Sequence, residues 1–187
     1  MQFIEPQEGM TMSDTIESTG AQRKGAMRAI QPGEAPSLWQ PVPANGHIDV
    51  IFAPSIVAME HPMAMGTQTV PAGSHVREHA HDRNEEIIYF LKGQGKAVVE
   101  GEEIRLMPGT SIFLGKNQRH MFVNDGAEDM QFMWILLPNG LEDFFAQSGR
   151  PRSPGDPVPE NFPRPENVLE IERNTVFAPQ PADQRKP

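Results

Sequence analysis

The chain has 187 residues, a formal net charge of −9, 19 prolines, 16 glycines and no cysteine. Its length fits one domain with terminal arms, and the lack of cysteine excludes disulfides, thiolate metal ligands and a cysteine nucleophile. The acidic balance argues against a nucleic-acid surface, no apolar run approaches the roughly 18 residues of a membrane span, and no apolar segment follows a basic start, so a cytoplasmic protein is expected.

Residues 1–36 are rich in Gly, Ser, Thr, Gln and Glu without a sustained period and read as a flexible arm. Strands are expected from 47–52, 56–59 and 66–70, each bounded by Pro or Gly. Denser signals follow at 86–91 and 96–100, joined by a glycine-containing hairpin loop, then at 103–107, 110–114, 119–124 and 130–137. Short strands at this even spacing predict an all-β barrel or sandwich. Leu141, Phe144 and Phe145 fall at helical spacing, which predicts a short helix over 139–147 with Asn139 as its cap. From 150 to 187 there are nine prolines in 38 residues, the composition of a wrapping tail or linker.

Chemistry concentrates in two clusters. The first is Gly73-x5-His79-x-His81-x4-Glu86-x6-Gly93. His79 and His81, one residue apart, leave the same face of a strand, and Glu86 returns beyond a turn signal at Asp82, Arg83 and Asn84. Strand parity distinguishes Glu86 from its neighbour Glu85: with Glu86 inward, Ile88 and Phe90 share the interior while Ile87 and Tyr89 face out. The second cluster is Gly109-x5-Gly115-x-Asn117-x2-His120-x3-Asn124, in which His120, Phe122 and Asn124 share a face. Three imidazoles and a carboxylate suit a divalent first-row metal and leave coordination positions open. His75 and Arg77 are in phase with His79 on an unbroken strand, where Arg77 can hold an anionic substrate oxygen; a loop opened by Gly73 and Ser74 instead sends both to solvent. His47 and His61 lie outside both clusters and are expected to be surface or packing residues.

The first cluster fills every fixed position of the first motif of the cupin superfamily, Gly-x5-His-x-His-x(3,4)-Glu-x6-Gly, and the chain resembles single-domain, dioxygenase-like cupins of the quercetinase type over about residues 45–137. The second motif is altered, with Gly115 where the family has proline and Asn117 where it has glycine; both tolerate the turn that precedes His120. The resemblance implies an all-β single cupin β-barrel (jelly roll) over 37–149, with the arm, the short helix and the Pro-rich tail as appendages. It also implies one divalent metal ion (Fe, Mn, Ni, Co or Zn, with iron first) on His79, His81, Glu86 and His120. The expected function is a dioxygenase cleaving a small aromatic, flavonol-like or diketone-like molecule, with Glu86 and Arg77 as catalytic residues. The alternatives are a non-oxidative isomerase, lyase or decarboxylase and a binding module without catalysis. The expected partners are a small-molecule substrate and a second copy in a homodimer, with no nucleic acid and no membrane.

Overall fold

The computed structural model describes residues 24–180, so most of the expected N-terminal arm and the last residues of the tail lie outside the described residues. In chain order the elements are β1 (Ser37–Trp39), β2 (His47–Phe52), β3 (Ala64–Val70), β4 (His75–His79), β5 (Glu85–Lys92), β6 (Gly95–Val99) and β7 (Glu102–Leu106). They continue with β8 (Ser111–Leu114), β9 (His120–Val123), β10 (Met130–Leu137), α1 (Leu141–Ser148), β11 (Arg150–Arg152) and α2 (Val168–Asn174). All pairings are antiparallel: one ladder runs β11-β1-β2-β3-β10-β5-β8 and the other β4-β9-β6-β7. The fold is an all-β jelly roll of two separate sheets.

Alternation along the strands decides which side chains meet between the sheets. On β5, Glu86, Ile88 and Phe90 are buried while Glu85, Ile87 and Tyr89 are exposed, as parity requires. Phe132, Trp134 and Leu136 of β10 face the same interior. Phe90, Phe122 and Phe132 form the aromatic floor, with ring centroids 6.0, 5.3 and 5.0 Å apart, and Phe122 comes from the opposite sheet. Burial of these three rings stabilises the core, and their edge and tilted contacts add to it.

Two local expectations are corrected and a third gains detail. Residues 56–59 form no strand: Ile56 and Val57 both donate their N–H to the Ala53 carbonyl, so the chain turns after Pro54. Asn139 does not cap α1; the N-cap is Gly140, at φ 132°, and Glu142 reaches back, its carboxylate accepting the Gly140 N–H and the Asn139 amide at 2.7 Å each. The proline-rich tail is not featureless, because β11 pairs with β1, α2 follows, and residues 175–178 lie against the metal-ligand motif. Its turns come from prolines, but its apolar residues Phe162, Val168, Ile171, Val176 and Phe177 are buried. Among the described residues, no helix is long and apolar enough to cross a membrane.

Candidate metal centre and its cavity

His79, His81, Glu86 and His120 are all buried and bring one ligating atom each within 4.8 Å of one another. Different elements deliver them. His79 ends β4, His120 begins β9 directly opposite it, Glu86 lies on β5 in the other sheet, and His81 follows β4 in a single bridge to Phe177. The paired histidines therefore do not share one continuous strand. His81 is brought in by the C-terminal segment.

Each imidazole is oriented through its Nδ1, which donates to a main-chain carbonyl at 2.9 Å: Arg77 for His79, Gln118 for His120 and Val176 for His81. With those protons committed, the Nε2 lone pairs of His81 and His120 face the Glu86 carboxylate, and a ring nitrogen of His79 lies within 4.8 Å of them. The Oε2 of Glu86 lies 3.2 Å from His120 Nε2 and 3.6 Å from His81 Nε2, and these three atoms are buried without a hydrogen-bond partner. Neutral imidazoles leave no proton between those acceptors. A cation resolves the conflict, and three N donors with one O donor are a suitable set for a first-row divalent metal.

The electrostatics of Glu86 and His79 agree. Burial raises the Glu86 carboxyl, but the His120 and His81 imidazoles beside it outweigh that and hold the group far below the usual carboxylate range. Burial, with His120 and His81 beside it, pushes His79 well below the usual imidazole value. His81 is raised: burial opposes its protonation, and the Glu86 carboxylate beside it prevails.

His79 and Glu86 line one end of a cavity of about 80 Å³, several times the roughly 10–15 Å³ a single water needs. Its walls are mostly apolar, including Trp39, Phe122, Phe132, Phe144, Phe145 and Phe177. Phe177 sits 5.4 Å from the His79 ring and 5.2 Å from His81, so it shields the cluster.

Arg77 reaches this cavity, but parity does not put it there. The β4–β9 register shifts between Val76 and His79, a bulge that breaks the assumed phase; Val76 pairs with inward-facing Phe122, which leaves His75 out of register with His79. The Arg77 guanidinium pairs with Glu172 and lies 5.5 Å from the Phe177 ring, and Arg164 binds the same carboxylate. Burial, aided by Arg119, pushes Arg77 down to about 10, and burial with Arg77 pushes Arg164 to about 10, so both stay charged at neutral pH. Both arginines line the cavity, and both guanidiniums bind the Glu172 carboxylate. His47 packs on Trp39, away from the cluster.

Sequence reasoning did not find Gln40, Gln68, Arg164, Glu172, Val176 or Phe177. Each reaches the site through contacts distant in sequence, and none sits in a spaced motif.

Residues 66–136 match the cupin domain family. The matched segment runs from β3 to β10 and contains all four residues of the cluster. Quercetin 2,3-dioxygenase of Bacillus subtilis is 31% identical over 81 residues, covering 43% of this chain and 24% of that protein. The tetracenomycin polyketide synthase protein TcmJ of Streptomyces glaucescens is 27% identical over 122 residues, 65% of this chain and 76% of that one. The chain spans only 24% to 56% of three of the curated relatives it matches, among them the Thermotoga maritima oxalate-binding protein. In solved structures, the polyketide cyclase RemF from Streptomyces resistomycificus superposes with a TM-score of 0.52 at 17% identity over 60% of this chain and 80% of that one, a likeness of fold.

Proposed function

We propose that this cupin is a cytoplasmic, metal-dependent enzyme that binds a small, largely apolar molecule through a chelating pair of oxygens, and that its reaction is dioxygenation of an aromatic, flavonol-like or diketone-like substrate. The observation that carries the reading is the convergence of three imidazole nitrogens and the Glu86 carboxylate at one end of an aromatic-lined cavity. A relative named as quercetin 2,3-dioxygenase adds support.

His79, His81, Glu86 and His120 would hold the metal, which supplies Lewis acidity and, if iron, a redox centre. The chain's own residues do the rest. The three main-chain carbonyls fix the imidazoles in the tautomer that presents Nε2. Phe177, Phe122 and Phe132 exclude water from the substrate's rings. Glu86, the one carboxylate of the four, is the group proposed to take the proton a chelating enol or hydroxyl gives up once a bound cation would have made that proton acidic. Arg77 faces the cavity as a held positive charge, suited to a substrate oxygen that becomes anionic.

Oxygen uptake by protein loaded separately with iron, manganese, nickel, cobalt or zinc, against a panel of flavonols, 1,3-diketones and hydroxyacetophenones, tests this. Uptake with at least one pairing is expected, and none with any pairing refutes the dioxygenase reading. The matches to TcmJ and to the Streptomyces cyaneus polyketide synthase CurC favour a second reading, a non-oxidative rearrangement of a polyketide-like substrate at the same site. Anaerobic turnover distinguishes it.

The homodimer belongs to this proposal too. Ile87 and Phe113 pair on the outer face of β5 and the edge strand β8, beside Tyr89, and all three are exposed. Sedimentation of the protein and of Phe113→Glu measures it: a dimer that the substitution dissociates is expected, and a monomeric wild type refutes it.

A further inference from the structure

Two buried amides stand in the cavity wall away from the four-ligand cluster. Gln68 is the inward-facing residue of β3 between Ile48 and Phe132, a position where an apolar side chain would be expected. Gln40 follows β1, anchored by its N–H to the Gly46 carbonyl at 2.8 Å. They are 6% and 7% exposed, and both line the cavity. Gln68 Nε2 donates to Gln40 Oε1 at 2.7 Å, which leaves Gln40 Nε2 buried and without a partner.

A dry, unpaired amide nitrogen is costly, and nothing about packing in an apolar cavity calls for it. The atom itself is closed off, and a ligand atom would satisfy it once the Gln40 amide turns toward the cavity that both residues line. Exchanging the orientation of both amides turns the orphaned Gln40 atom from a donor into an acceptor, and a hydroxyl satisfies either. The pair is also remote from the cluster: Glu86 is opposite Leu136 and Gln68 opposite Phe132, four residues apart on β10 and on its two different flanks. Their backbone positions are therefore roughly 13 Å apart along the strands and roughly 10 Å across them.

We propose that the Gln40–Gln68 pair is a specificity-determining subsite for a hydroxyl carried by the substrate at the end away from its chelating oxygens. This rests on the chelating, aromatic-substrate reading above and narrows it.

Calorimetric titration of zinc-loaded protein under nitrogen, with 3-hydroxyflavone, 3,4′-dihydroxyflavone and 3,7-dihydroxyflavone, tests it. These share the chelating pair and differ in one distal hydroxyl. One of the two dihydroxyflavones is expected to bind about tenfold tighter than 3-hydroxyflavone, the gain from one well-formed buried hydrogen bond. In Gln40→Leu and in Gln68→Leu, each checked for full zinc content, that preference is expected to fall below about twofold, with 3-hydroxyflavone binding at least as tightly as before. Equal affinity for all three in the wild type overturns the subsite alone and needs no variant to fold. A preference that survives both substitutions also overturns it. Failure of all three to bind removes the flavonol-like reading and the subsite together.

Discussion

Replacing Glu172 by Gln tests how far the C-terminal segment is part of the metal centre. Glu172 is 4% exposed and its one carboxylate binds both Arg77 and Arg164, whose side chains are only 20% and 21% exposed. Gln keeps the shape but removes the charge that two buried guanidiniums share. A hydrogen bond to a charged group contributes about 1.5–3 kcal/mol, and breaking a buried pair from one side costs about 3–5 kcal/mol. One neutral acceptor remains, so a loss of about 3 kcal/mol is expected, or about 6–12 °C in Tm for a domain of this size. Urea and thermal denaturation of metal-free protein measure it, and Glu172→Gln with Arg164→Met closes a double-mutant cycle in which the second change should add little. A second readout follows from position: α2 leads into Val176, whose carbonyl orients His81, so zinc affinity should fall about tenfold. A loss below about 1 kcal/mol with unchanged zinc affinity would refute the reasoning.

His79→Ala and His120→Ala should each lose most bound metal by elemental analysis, while His47→Ala, which removes a ring packed on Trp39, should keep it; equal retention in all three contradicts the ligand set. Gly66→Ala should destabilise by at least about 3 kcal/mol in urea, because the new methyl would lie 2.2 Å from the Asp49 carbonyl oxygen and 2.5 Å from the Trp134 ring. In chelator-treated protein, His79 has its folded value well below 6.5, so the unfolded chain takes the proton first as pH falls and stability drops below about pH 6.5. The slope His79 contributes is at most about 1.4 kcal/mol per pH unit, and subtracting the pH profile of His79→Gln should reveal it; identical profiles would contradict the assignment.

How much of this was legible in the sequence depended on the distance over which each signal acts. The interior face of β5 follows from alternation alone, because Glu86, Ile88 and Phe90 lie on an unbroken strand paired on both sides. The turn before His120 also survived its altered residues, since Asn117 takes φ 64°, which asparagine tolerates. Alternation failed on β4, where the bulge between Val76 and His79 shifts the phase and no residue type marks it. The strand signal at 56–59 was apolar enough but too short and too near Pro54 to find a partner. The tail's helix has seven residues, and its polar Glu172 is buried only because Arg77 and Arg164 meet there. Composition could describe such a segment as wrapping, but not what it wraps.

The three histidines divide along the same line. His79 and His120 each take their orienting carbonyl from two residues earlier in the chain, Arg77 and Gln118, so local backbone geometry is enough to aim them. His81 takes its carbonyl from Val176, 95 residues away, and the Ala178 N–H returns a bond to the Ala80 carbonyl at 2.8 Å. One bond holds the His81 ring and the other the backbone just before it, which pins the residue after the strand has ended. A spaced motif therefore identifies which imidazoles can ligate, whereas the aim of the third depends on a segment outside the family match. The geometry of the cluster is thereby coupled to the docking of residues 162–178, and the same segment contributes Arg164 and Phe177 to the cavity wall. On the proposed reading, variation there would retune metal affinity and the shape of the cavity together while every residue of both histidine motifs stays the same.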